Sequence, residues 1–564
     1  SFKPSLVKYK EVFMKNLSNA PLIVRLVISI LLIFGIFYMN LPPINLRSPA
    51  FWFFLMQCII IIIIANFFGT LSEILRDAME YGSLTSEDLK DAFGQFTAPL
   101  KYAVLALIGI FCFLFLGNLA GHPLFWASSY YNLIKVEDGD FTKDVSQVSS
   151  KNIPVVDRDS ASRLGKRKLG EMSDLVSQFD IMEDYTQINF KGVPYRVTPL
   201  RYGDAIKWLY NMSNGIPAYI TVNMVTQESS LVRLKEGIKY SETEYFFRNI
   251  HRYLRFKYPT KIFDQISFEV DDNGTPYWIA PTITYRVALW DGEDIDGAVL
   301  VNAQTGESKY YALKDIPSWV DQVFISDLII RQLIYRGRYV NGYINSKLGQ
   351  KGVLRPTDGY NYLAINDDVY LYTGLTSVMS DASNVGFVLV NLRTKEAKYY
   401  NVPGAEERSA MSSAMGKVQH LNYKATFPIL LNIHNRPTYF LSLKDGAGLV
   451  KMYAFVDVEQ YQIVGTGSTV PEALQNFYQT LGVEGKPETS AATTDSKETS
   501  GTIAALSQAV VSGNTAYYFI LTEDKKIYRA SIEISERLHF LKVGDKISFT
   551  YKDLGKIGEI KTLK

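Results

Sequence analysis

Gly297–Tyr311 reads GAVLVNAQTGESKYY and Gly386–Tyr400 reads GFVLVNLRTKEAKYY, with ten of the fifteen positions identical. Ala218–Val232, AYITVNMVTQESSLV, is a weaker third copy aligned by Val222, Asn223, Thr226 and Glu228, and KMYAFVDVEQYQIV around Asp457 is a degenerate fourth. Alternating β-branched and apolar residues enter a turn opened by an asparagine and leave toward Lys309, Tyr310 and Tyr311, the pattern of a β-hairpin. Asn302, Asn391 and Asn223 are expected to cap the turns with their side chains, Thr305, Thr394 and Thr226 following three residues on. Gly306 supplies positive φ in the first copy; Lys395 stands there in the second, so that turn must differ or carry strain. The motif is therefore structural rather than catalytic.

Each copy is preceded by a strand with a proline or glycine lead, at Gly215, Gly274, Gly359 and Arg436, and Asp271–Gly274 reads as a further turn between two strands. Helices separate the hairpins. Ser241 with Glu244 predicts a capping box opening a helix that ends at Pro259; Pro317 opens a second that stops near Gly337; Thr469 with Glu472 opens a third. Helix followed by antiparallel meander, several times over residues 191–482, is an α+β arrangement of tandem units. Val301, Asn302, Thr305, Gly306 and Glu307 resemble the hairpin signature of PepSY-type domains, which are extracytoplasmic helix-plus-sheet modules, though Asn stands where that signature commonly has Asp. The resemblance implies a module that binds peptide or restrains an envelope peptidase. The whole chain also resembles uncharacterised multi-spanning membrane proteins of Gram-positive bacteria.

Outward from the repeat, the amino-terminal side is oily. Leu26–Leu46, Ser48–Ser72 and Tyr102–Ile134 lack any Asp, Glu, Lys or Arg, and each is long enough to cross a bilayer as a helix. Three transmembrane helices are expected at Leu22–Met39, Phe51–Leu71 and Tyr102–Phe125, within a membrane domain over residues 1–130. Lys3, Lys8, Lys10 and Lys15 before the first helix and Arg25 in its first turn, against Arg47 alone in the first loop, predict a cytoplasmic amino terminus. Three crossings then put everything past residue 130 outside the plasma membrane, with a juxtamembrane connector at 131–190. Gly117 and Gly121 form a GxxxG; together with Asn118 and Asn66 they are candidates for helix self-association. The loop after the second span, with Ser86, Glu87, Asp88, Leu89, Ala92, Phe93 and Phe96, reads as a short amphipathic helix, either a connector packed on the spans or a docking site.

Beyond the repeat, Gly485–Gly501 has no large apolar residue and predicts a flexible linker, 483–500. Residues 501–564 carry short strand-like runs punctuated by glycine, the pattern of a small five-stranded barrel similar to OB-folds. There Tyr517, Tyr518 and Tyr528 serve either as core or as a ligand face.

Net charge is +2 from 59 basic and 57 acidic residues, which argues against a nucleic-acid binder. Both cysteines, Cys58 and Cys112, lie in apolar runs, and the five histidines are scattered, so no metal or cofactor is expected. The acidic stretch Asp291, Glu293, Asp294, Asp296 is either a solvated hairpin end or a cation site. The basic cluster Arg163, Lys166, Arg167 and Lys168 either lies on lipid headgroups or forms a solvated helix face. An acid-pair hydrolase stays open, because two carboxylates converge only in space. The resulting expectation is a non-enzymatic, homo-oligomeric scaffold of the cell envelope. Its partners would be the lipid bilayer and an envelope peptide, peptidase or wall polymer.

Overall fold

The computed structural model describes residues 21–80, 97–148, 152–365, 367–377, 383–482, 496–511, 514–531, 534–553 and 557–563. The amphipathic helix expected around Ser86–Phe96 lies outside the described residues. The chain divides into two units, Ser1–Leu481 and Gly482–Lys564.

Three apolar helices open the first unit: Leu22–Asn40, Pro49–Glu80 and Ala98–Ala120. Each has the length and composition to cross a membrane. The third stops at Ala120 rather than running on to Phe125: Gly121 and His122 break the ladder, and Pro123 begins a separate helix, Pro123–Tyr131, capped by the His122 side chain. A domain boundary at residue 130 would therefore cut a helix.

Four sheets follow among the described residues, antiparallel except at one edge of the third. The first orders its strands as Phe179–Ile181, Val193–Tyr202, Ile216–Asn223 and Ser229–Ile238, with Thr186–Phe190 pairing the start of Val193–Tyr202. Because Thr186–Phe190 belongs to this sheet, a connector ending at 190 would split a hairpin. The second sheet is a meander of Ser267–Val270, Pro276–Val287, Asp291–Asn302 and Ser308–Ala312. The third is built on Asp368–Ser377, Ser383–Asn391 and Ala397–Tyr400, and Glu137–Asp138 from the connector joins its edge in parallel. The fourth contains Ile429–Ile433, Arg436–Lys444, Val450–Asp457 and Val464–Gly467.

Strand alternation explains how these sheets stack. In the second sheet Trp278, Ala280, Val299 and Val301 enter a core shared with the first and fourth sheets, while their neighbours Ile279, Ala298 and Leu300 enter one shared with the third. In the third, Leu371, Val388 and Val390 face the second sheet, whereas Tyr372, Phe387 and Leu389 face Tyr439, Leu441 and Val456 of the fourth. Phe440 and Phe455, on the other side of the fourth sheet, return to the core of the first. The succession closes on itself. Sheets buried on both faces require apolar residues at consecutive positions, which is why the repeat reads VLVN rather than strictly alternating with polar residues.

The three asparagine turns have one geometry. Asn302 Oδ1 accepts from the backbone N–H groups of Gln304 and Thr305 at 2.9 and 3.0 Å, Asn391 Oδ1 from Arg393 and Thr394 at 2.9 and 2.9 Å, and Asn223 Oδ1 from Val225 and Thr226 at 2.9 and 3.0 Å. The residue after the threonine is left-handed in every case: Gly306 at φ 75°, Lys395 at 65° and Gln227 at 63°. Lys395 thus adopts the turn unchanged and carries the strain of a side chain in that region.

Two predicted helix starts are corrected. Glu244 does not close a capping box on Ser241; it is 3% exposed and accepts from Tyr202 Oη at 2.6 Å and Trp208 Nε1 at 2.7 Å, so the helix begins later, Ile250–Lys257, capped by Asn249. Burial pushes the Glu244 carboxyl up. Residues 317–325 are not helical, because Val320, Val323 and Phe324 are all needed in the second core; the helix is Ser326–Arg338. The third start holds: in Val470–Leu481 the Glu472 N–H donates to Thr469 Oγ1, and the carboxylate accepts from the Ser468 N–H and hydroxyl.

The second unit is a closed five-stranded barrel in the order Ser496–Val511, Asn514–Leu521, Asp524–Ser531, Ile557–Leu563, Lys546–Asp553 and back to the first. Its first strand starts at Ser496, inside the stretch expected to be linker: residues 496–502 pair with Lys546–Lys552 before the strand bends to pair with Asn514–Leu521. Tyr528 and Phe519 fill the core with Phe549, and Tyr517 is buried as well, so these tyrosines pack the interior.

Candidate functional site

A polar cavity of about 580 Å³ is bounded by residues of all four sheets or the loops leaving them. Its floor comes from the first sheet. Thr186–Phe190 and Val193–Tyr202 pair with Gln187 directly opposite Arg196, so both side chains share one face. Gln187 is 1% and Arg196 6% exposed. Ser267, Phe268 and Trp278 contribute from the second sheet, Asn361 and Tyr362 from the third, and Thr426 and Phe427 from the fourth. The mouth is acidic as well as basic: Arg158, Asp159, Asp184 and Asp327 are exposed, with Arg158 hydrogen-bonded to Asp184.

Polar atoms on the floor are left unmatched. Gln187 Nε2 and Oε1, Arg196 Nε and the Tyr185 hydroxyl are buried without a hydrogen-bond partner among the described residues. Asp157, a carboxylate near enough to be felt by Arg196, is committed elsewhere: it accepts from Lys444 Nζ at 2.5 Å and caps the helix Arg158–Gly170 through the Ser160 N–H at 2.9 Å. Burial lowers the Arg196 guanidinium to about 10, still charged at neutral pH. Tyr362, whose hydroxyl lies 2.6 Å from Ser326 Oγ, is pushed up to about 12 by burial.

Behind the floor lies a carboxylate pair that sequence reading did not locate. Glu269 is 0% and Asp321 1% exposed. Glu269 accepts from the backbone N–H groups of Asp321 and Gln322 at 2.8 and 3.0 Å, and Asp321 accepts from the Asn189 N–H at 2.7 Å, leaving its Oδ1 unpartnered among the described residues. Burial pushes both carboxyls up, and for Asp321 the neighbouring Glu269 charge adds to the shift. Neither carboxylate is among the residues bounding the cavity, and the bonds from the Asp321 and Gln322 N–H groups to Glu269 lock the segment 317–325 onto the second sheet.

The residues singled out from sequence are dispersed. Gly117 and Gly121 do approach another part of the chain closely, but it is a strand end rather than a helix. A Cβ on Gly117 would fall in the Trp290 ring and one on Gly121 against the Asp291 carboxylate. Trp290 Nε1 donates to Asn118 Oδ1 at 3.0 Å, and Arg47 donates to the Tyr285 and Leu289 carbonyls at 2.8 and 3.2 Å. The GxxxG face is thereby occupied by the hairpin of the second sheet. Asn66 Nδ2 donates to the Ile62 carbonyl of its own helix at 2.8 Å, and the Asn66 backbone carbonyl accepts from Arg25 of the first helix at 3.4 Å. A second junction lies at the end of the first apolar helix, where Phe37 meets Phe256, Tyr38 meets Phe247 and Arg252 stacks over Tyr38.

The acidic stretch starts at the hairpin turn that precedes Asp291. It runs along a strand in which Glu293 pairs with Arg331 at 2.6 Å, Asp294 with Lys395 at 2.5 Å and Asp296 with Lys261 at 3.7 Å. No cluster fit for a metal occurs among the described residues. Of the basic cluster, Arg163 donates to the Ala447 carbonyl, Lys166 pairs with Glu183 and Lys168 with Glu171, an arrangement tied to the chain's own surface. Asn223, Asn302 and Asn391 and their threonines stand at three separate turns, away from the cavity floor.

No known protein family matches this chain, and no curated protein matches it. Among solved structures it is similar to an apocarotenoid oxygenase from Synechocystis, at 7% identity over 50% of this chain and 60% of that one, with a TM-score of 0.16. A levansucrase from B. megaterium aligns at 8% identity over 74% of this chain and 97% of that one, with a TM-score of 0.17. The chain thus spans three fifths of the first structure's length, and at these scores neither likeness carries an argument about fold or activity.

Proposed function

We propose that the chain is a membrane-anchored binding scaffold of the cell envelope, with its amino terminus cytoplasmic and the four-sheet region outside the plasma membrane. The observation that carries this reading is the polar cavity bounded by all four sheets, in a unit bolted to three apolar helices through Trp290 on Gly117 and Phe256 on Phe37. Such a cavity is of the size that takes a small ligand. Binding is favoured because the cavity floor presents the buried Arg196 and Gln187 with polar atoms that have no hydrogen-bond partner among the described residues. The common geometry of the Asn223, Asn302 and Asn391 turns supports reading the sheets as tandem PepSY-like units. The barrel's strand order, with the parallel pair Asp524–Ser531 and Ile557–Leu563, supports an OB-like module.

Phe247, exposed and packed on Tyr38 at the end of the first helix, together with exposed Phe246, Leu209 and Tyr210, supports close apposition to lipid or to a second copy. Mass measurement of the detergent-solubilised particle tests the homo-oligomer: a species larger than one chain is expected, and a strict monomer at high concentration rejects it. Trypsin applied to intact cells tests sidedness. Digestion of the four-sheet region without lysis is expected; protection until lysis rejects the orientation.

A further inference from the structure

We propose that the central cavity takes a small ligand through an oxyanion, carboxylate or phosphate, seated on the Arg196 guanidinium and the Gln187 amide. This deepens the binding reading and rests on it. A guanidinium at 6% exposure, with no carboxylate in ion-pair contact among the described residues, is costly, and folded proteins retain such charges where something neutralises them. Here the neighbouring acid cannot serve, since Asp157 is held by Lys444 and by the cap of its helix. Gln187, fixed opposite Arg196 by strand register, presents both an unmatched donor and an unmatched acceptor. Arg196 therefore meets the charge, Gln187 Nε2 donates to one oxygen, and Gln187 Oε1 accepts from an N–H or O–H next to the oxyanion. The fork of a guanidinium suits two oxygens at once, which a lysine at this position would not.

The seat also has an orientation. The mouth carries Asp159 and Asp327 beside the Arg158–Asp184 pair, so a bound ligand sets its anionic end on Arg196 and leaves any neutral or cationic part toward Asp159 and Asp327.

The test uses the full chain in detergent with two kinds of probe: inorganic phosphate, and a short peptide with a free carboxyl alongside the same peptide amidated. A rise in thermal midpoint with phosphate assigns a phosphoryl ligand; a rise with the acid but not the amide assigns a carboxylate ligand. In either case Arg196→Met should weaken binding by about 30-fold or more while leaving the unliganded midpoint equal or higher, because it removes an unpaired buried charge. Arg196→Lys should bind at an intermediate level. The inference is overturned if neither probe shifts the midpoint, if the shift survives Arg196→Met, or if Arg196→Met destabilises the unliganded protein. Binding of a neutral compound unaffected by Arg196→Met would sink the oxyanion seat and leave the scaffold reading standing.

Discussion

Replacing Lys395 by glycine sets two parts of the structure against each other. Lys395 sits at φ 65°, where Gly306 stands in the sister turn at 75°, so backbone strain alone argues that glycine should stabilise the protein by about 1–2 kcal/mol. The side chain opposes this. Lys395 Nζ donates to Asp294 Oδ1 at 2.5 Å and to the Leu133 carbonyl at 2.9 Å, tying the third sheet to the second and to the segment that follows the three apolar helices. The two side chains are 16% and 10% exposed, and burial lowers the lysine's pKa against the pull of Asp294. Removing one partner of a buried pair costs about 3–5 kcal/mol, chiefly because the other charge is stranded. Arg286 Nε at 3.2 Å still reaches Asp294 and favours the lower end. The net expectation is a loss of about 2 kcal/mol, a fall of roughly 2–4 °C in the thermal midpoint. Tryptophan fluorescence of the detergent-solubilised chain on heating reads it. Lys395→Gly combined with Asp294→Asn should regain part of the loss, because the stranded charge is gone. A Lys395→Gly protein as stable as wild type, or more stable, would refute the claim that the ion pair outweighs the strain.

Trp290→Ala should destabilise by about 3–5 kcal/mol, since it empties the space over Gly117 and frees Asn118; proteolysis that releases the four-sheet region from the helices more quickly would register it. Gly117→Leu drives a side chain into the same ring and should cost about 1–3 kcal/mol, measured as a lower midpoint in the same detergent. Glu269 and Asp321 hold protons more tightly folded than unfolded, so the stability they contribute is complete below the ordinary carboxylate range and is lost as pH rises through neutrality. Thermal midpoints should decline from pH 5 to pH 8, and Asp321→Asn should flatten that decline; an unchanged slope would remove the pair from the account. Asn391→Ala should cost more than Asn302→Ala, because Asn391 also donates to Asp368 at 2.9 Å; equal losses on denaturant unfolding would contradict it.

Local chemistry was legible in the sequence wherever one segment of chain suffices to determine it. Uncharged apolar length marked the three helices, since a helix satisfies its own backbone and needs no partner to be recognised. An asparagine followed three residues later by threonine marked three hairpin turns whose hydrogen bonds are closed within five or six residues. Even Lys395 in the glycine position obeyed that local rule. The same reasoning failed where a distant partner outbids the local one: Glu244 leaves its nearby cap for Tyr202 and Trp208, and Pro317 opens no helix because Val320 and Phe324 belong to a core shared with another sheet.

Only the tertiary structure decided the closure of four sheets on one another and the cavity this leaves. Gln187, Arg196, Trp278, Tyr362 and Phe427 are scattered over more than two hundred residues and carry no common spacing. The pairing of Glu269 with Asp321, and of each acid from Glu293 to Asp296 with its cation, is likewise set by which sheet packs on which. Periodicity along a strand states which face is buried but not against what, because the hydrophobic effect is non-directional; the choice of neighbour, and with it the site, comes from the packing of the whole.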